Sequence, residues 1–323
     1  MRKILSIFLV VLPLLSVAQF APPAGQEGTT AMHCDSSAFV AWATGCVVER
    51  GPMRIDKPEN GVASYGVDAD GIGKADEGLV SLGDGGNAVL TFASPICNGP
   101  GPDFAVFENP LENAQQPGYF FLELGFVEVS SDGVNYVRFP AISLVPESPQ
   151  VGSFGCVLPQ LVHNLAGKYA PFYGTPFDLD DLPDEVVDKN NITHVRIVDV
   201  VGYINPEYAS YDSQGHIVND PWPTPFNTSG FDLDAVGVIH DRSHYSAVDD
   251  IAVGTVAIYP NPVVDILSVQ TDEAVSIVVY SMTGQKLAVS ENNTVDLSIL
   301  PAGVYMACVQ SKGKTCVQKF IKY

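Results

Sequence analysis

The chain has 323 residues, 46% of them hydrophobic, and carries 37 acidic against 16 basic side chains for a net charge of −21. Such an excess of acid repels phosphate backbones and anionic lipid headgroups, which removes nucleic acid from the list of partners. The apolar content is ample for one large domain and a smaller one, and beyond the first residues no run approaches the 18 consecutive apolar positions of a membrane span.

In chain order, Arg2 and Lys3 precede an apolar stretch over 4–15, and Ser16, Val17 and Ala18 supply the small residues of a cleavage site. This is the pattern of a secretory signal peptide over 1–18, ending at about Ala18. Six cysteines in an exported chain predict disulfides. Proximity pairs Cys34 with Cys46 and Cys308 with Cys316, leaving Cys97 for Cys156, although six cysteines allow about 15 arrangements.

From 19 to 245, runs of β-formers alternate with Gly, Pro, Asn and Asp clusters. Strands are expected near 46–50, 79–82, 88–92, 103–108, 121–130, 136–139, 193–201 and 231–239. The one helical candidate is 36–44, with Asp35 as its cap. About eight strands in two sheets predict an all-β, jelly-roll β-sandwich. The segment FVEVSSDGVNYVRF at 126–139 reads as a hairpin turning at Asp132 and Gly133. In THVRIVD at 193–199, Asp199 shares the inward face of Val195 and Ile197 and so needs hydrogen bonds or an ion. Long irregular insertions at 140–192 and 202–230 are where a site is expected.

Carboxylates cluster in this body. Asp103 and Glu108 bracket an apolar strand, and Asp232 and Asp234 share one face of the closing strand. Calcium held by Asp103, Glu108 and Asp232 or Asp234 is the specific expectation, because it takes six to eight oxygen ligands. The competing reading is that these groups cap turns. In the second insertion, Tyr208, Tyr211 and Trp222 with Asp220 form a candidate platform for a glycan, with rings for stacking and a carboxylate for hydroxyls. The alternative is that the rings roof the core. Of the usual catalytic signatures there is no Gly-x-Ser-x-Gly, no His-Glu-x-x-His and no phosphate loop.

The segment 246–254 is polar and reads as a linker. After it come VAIYPNPVVDIL at 256–267, IVVYSMTGQKL at 277–287, LPAGVY at 300–305 and TCVQKFIKY at 315–323. In this order the four motifs closely resemble the type A C-terminal sorting domain of the type IX secretion system of Bacteroidetes. The resemblance implies a small Ig-like β-sandwich over 255–323 that engages the secretion machinery and delivers its passenger to the outer-membrane surface or the medium. The hairpin, the THVRIVD strand and the closing FDLDAVGVI at 231–239 make the passenger resemble discoidin-like, galactose-binding-like jelly rolls. That likeness carries no activity. The sequence therefore favours a non-enzymatic, calcium-stabilised surface module that binds glycan or a matrix protein. A secreted hydrolase acting on polysaccharide and a structural surface protein without a small ligand stand as alternatives.

Overall fold

A computed structural model describes residues 20–244, 257–270, 275–282, 285–311 and 314–323. The signal peptide with its cleavage site at Ala18 and the linker 246–254 lie outside the described residues. The chain divides into two compact units, Met1–Tyr245 and Ser246–Tyr323. Among the described residues no helix is long and apolar enough to cross a membrane.

The first unit is a β-sandwich. One sheet has the strand order Met32–His33, Tyr173–Phe177, Phe104–Phe107, Ala235–Val238, Ala41–Trp42; the other runs Val137–Arg138, Gly125–Ser130, Ile192–Asp199, Asn87–Ile96, Gly45–Glu49. All these pairings are antiparallel. Alternation explains the core. Val195 and Ile197 on one sheet and Phe104, Val106 and Val236 on the other enter a single cluster of fully buried side chains. The strand Phe104–Phe107 is buried on both faces, because Ala105 and Phe107 point the other way into a second cluster covered by Phe39, Trp42 and Phe172.

That second cluster decides the fate of residues 36–44. The expected helix is absent. Val40 and Ala43 donate their N–H groups to Val238 and Val236 at 2.9 and 3.0 Å, and Ala41–Trp42 adds an edge strand to the sheet. Phe39 and Trp42 then pack on Phe107 with ring centroids 5.6 and 5.4 Å apart. Burial of two large rings outweighs a weak helical preference.

The insertions are packed, not loose. Val145, Val157, Val162 and Leu165 from the first, with Val218 from the second, close over Leu122, Leu124 and Phe126 in a third apolar cluster. Gly167, at φ +82°, lets this layer close: a Cβ there would lie 2.2 Å from the carbonyl oxygen of Glu123.

The second unit is a smaller β-sandwich. Its sheets run Ile258–Tyr259, Ile266–Val269, Thr294–Asp296 and Lys286–Ser290, Ser276–Ser281, Gly303–Ser311, Lys314–Lys322. Leu267, Ile277, Val279, Ala307 and Phe320 form its core.

The expected disulfides are not present: all six cysteines are free thiols. Register excludes the last pair. Cys308 faces Val317, and Val309 faces Cys316, so the two sulfurs point to opposite faces of the sheet. Cys34 belongs to the cluster outside the first sheet, whereas Cys46 packs on the central core from the second. Cys97 follows the strand Asn87–Ile96 and bonds His240 through its backbone, while Cys156 lines a cavity near Phe121.

Candidate functional site

The first unit buries eleven carboxylates and, among the described residues, a single lysine, Lys168. Buried acids need partners, and most find them in the main chain. Asp199 accepts N–H groups from Gly85 and Phe231 at 2.8 and 2.7 Å. Asp212 accepts from Ser143, Gln214 and His216. Glu128 lies between Arg138 and Arg196.

Two of the four expected calcium ligands are committed in the same way. Asp103 accepts from Gly99 at 2.7 Å, Leu179 at 2.8 Å and His240 Nδ1 at 2.8 Å. Asp234 accepts from the backbones of Asp76 and Glu77. Both act as turn caps.

Glu108 and Asp232 do come together, and a third carboxylate, Glu123, joins them. Glu108 follows the strand Phe104–Phe107, and Asp232 begins the short strand Asp232–Leu233 that pairs with Val80–Ser81. Glu123 sits between Phe120–Phe121 and Gly125–Ser130. One oxygen from each lies within 4.8 Å of the others, and all three residues are buried. Asp232 receives the Ser81 hydroxyl. One Glu108 oxygen, Oε2, is buried with no hydrogen-bond partner.

The electrostatics follow from the crowding. Burial, then the charges of Asp232 and Asp234, push Glu108 well above the usual carboxylate range. Burial, then Asp232 and Glu108, do the same to Glu123. Burial lifts Asp232 to about 7. Such a trio is favourable with protons or a cation, and costly with neither. A calcium ion would fit the spacing, since oxygens on one ion at about 2.3–2.6 Å cannot be more than about 5 Å apart.

Sequence reasoning missed Glu123. The signal was there: it is a lone acid inside an apolar run, Phe120-Phe121-Leu122-Glu123-Leu124, where an inward charge needs a reason.

Glu123 and Asp232 also line a cavity of about 500 Å³ with Leu111, Phe121, Phe154 and Phe226. Phe154 and Phe226 stack on each other with centroids 5.9 Å apart.

The second insertion differs from the expected platform. Trp222 is buried, 6% exposed, and donates Nε1–H to Asp84 at 3.0 Å. One face stacks on Tyr203 at 3.6 Å between centroids, and the Arg54 guanidinium lies 5.1 Å from the ring centroid. Tyr208 stacks on Tyr203 in turn. Asp220 is buried and accepts from the Leu124 amide at 3.1 Å. Tyr211 is 44% exposed in a bridge with Ile217. The rings roof a core, because a large apolar surface beside prolines is more stable covered than wet.

Residues 257–323 match the family model described as a secretion system C-terminal sorting domain. The second unit thus carries the expected sorting function, and the protein is of the secreted or cell-surface class, with the type IX machinery as the partner of its tail. No curated protein matches the chain. Solved structures with some likeness include a biofilm-associated protein, BSP domain, at 12% identity and TM-score 0.19, covering 87% of this chain and 52% of that one. The β-glucuronidases of Ruminococcus gnavus and Lactobacillus rhamnosus follow, each at 10% identity. Their TM-scores are 0.21 and 0.20, with coverage of 94% and 93% of this chain and 46% of each of those. The chain spans about half the length of these structures, and overlaps this poor carry no argument about activity.

Proposed function

We propose that the passenger is a non-enzymatic binding module of the cell surface, stabilised by calcium at Glu108, Glu123 and Asp232. Its resemblance to discoidin-like jelly rolls and its signal peptide belong to the same proposal. The observation that supports it is the convergence of three buried carboxylates with one oxygen left unpartnered. Glycosidase pairs need two acids facing substrate about 5–5.5 or 6.5–9.5 Å apart. Here three acids crowd one point, and Glu108 does not line the cavity.

Calcium added to chelated protein is expected to raise the melting temperature. An ion bound only by the folded state stabilises it by roughly 2.7 kcal/mol at a free concentration 100 times its Kd. Glu123→Gln is expected to lose the calcium response while folding normally in chelator, since a neutral amide replaces a carboxyl whose protonated form burial already favours. An unchanged melting curve for the parent would reject the ion, and release of reducing sugar from a polysaccharide would reject the non-enzymatic reading.

Delivery has its own test. A reporter fused to residues 253–323 is expected on the surface or in the medium of a type IX-competent host. Truncation from Thr315 is expected to abolish this, because the strand Lys314–Lys322 pairs along its whole length with Gly303–Ser311 and contributes Phe320 to the core. Periplasmic retention of the intact fusion beside an exported control would count against it.

A further inference from the structure

The trio of carboxylates has one open side. Glu123 and Asp232 line the cavity, whereas Glu108 is buried and is not part of its lining. Three carboxylates furnish three to six of the six to eight oxygens that calcium takes. An ion there keeps coordination positions directed into the cavity. The same cavity carries the stacked pair Phe154 and Phe226, 77% and 44% exposed, with Asn109, Asn113 and Thr224 among its polar lining. Exposed rings, hydrogen-bonding side chains and two of the three converging carboxylates within about 500 Å³ match a small-molecule site in size and character.

We propose that this cavity binds a neutral sugar through the ion, with two vicinal hydroxyls completing the calcium shell and the ring lying against Phe154 and Phe226. The inference rests on the calcium reading above. Neutrality follows from charge. Three carboxylates and one divalent cation leave a net charge of −1, and Glu112 adds another acid to the lining. A uronic acid or other carboxylate would meet like charge in a partly desolvated site, while hydroxyl oxygens coordinate without adding any. Flat C–H faces of a sugar ring also suit aromatic surfaces that are already exposed.

The test is an array of neutral and uronic-acid glycans probed with the full chain in calcium and in EGTA, followed by calorimetry with methyl glycosides of the bound sugars. The expected result is binding of a neutral glycan that weakens at least about tenfold in EGTA, about 1.4 kcal/mol, with uronic acids bound more weakly. The double variant Phe154→Ala, Phe226→Ala is expected to lose sugar by a similar factor while keeping the calcium-induced rise in melting temperature. A calcium response without any neutral glycan bound overturns the sugar proposal and leaves the ion standing. Sugar binding undiminished in EGTA overturns the bridging role. Absence of a calcium response removes the ion and, with it, this inference.

Discussion

Replacing Trp222 with Ala is expected to cost the first unit about 3–5 kcal/mol of unfolding free energy, the range for deleting a large buried ring. Two terms combine. The indole is the middle of a stack, with Tyr203 on one side and Arg54 nearby, so truncation leaves a cavity between groups held by their own contacts. It also takes the Nε1–H donor from Asp84, a carboxylate that burial already pushes above its ordinary range and that otherwise keeps the Ile55 amide. Trp222→Phe keeps most of the stacking and loses the donor, and is expected to cost about 1–3 kcal/mol. Denaturant unfolding of the three proteins checks the order. A Trp222→Ala protein within about 0.5 kcal/mol of the parent would restore the exposed-platform reading of this loop.

The second large effect is a pH dependence whose size changes with calcium. In chelator, Asp232 titrates at about 7 in the folded chain against 3.8 when unburied. The folded state then keeps a proton that the unfolded chain has lost. Stability is therefore greatest below about 4 and falls as pH rises to about 7, by roughly 4 kcal/mol for this group alone. Glu108 and Glu123, raised by burial and then by the charge of Asp232, act in the same direction. Asp103 and Asp234, lifted by burial to about 6, add to the fall in its lower part. At Asp212 and Asp241 burial is outweighed by amide donors and the carboxyls titrate below their ordinary value, so their contribution lies at more acid pH. Calcium at the proposed site would require all three carboxylates deprotonated. The melting temperature is expected to drop from pH 5 to pH 8 in chelator, while the gap between calcium and chelator curves widens over the same span. Parallel curves would remove these carboxylates as ligands.

Much of the sandwich was legible because strand alternation leaves a local trace. Val195, Ile197 and Asp199 read as one inward face and are one. Asp132 and Gly133 mark the hairpin, with Val137 opposite Val129. Among the described residues, each of the four motifs of the tail contributes to a strand. What was not legible depends on contacts distant in sequence. Nothing near Asp103 tells that Gly99, Leu179 and His240 will occupy its oxygens, and nothing near Trp222 announces Asp84, 138 residues away, as its acceptor. Cysteine spacing misled for the same reason: Cys308 and Cys316 are neighbours in a hairpin, yet the register offset turns them apart. Of the three carboxylates that converge, Glu108 and Asp232 were grouped from sequence and Glu123 was not, because its approach depends on strands distant in the chain.

The way the interior acids are held has a consequence for salt. Apart from Glu128 with its two arginines and the trio of Glu108, Glu123 and Asp232, the buried carboxylates described above take hydrogen bonds largely from main-chain N–H groups, with Lys168 instead donating to the Val162 carbonyl. Mobile ions screen charge pairs that face water far more than dipoles fixed inside a fold. Brine and fresh water therefore act on much the same network, and the sandwich is built to keep its shape across the changing ionic strength found outside a cell.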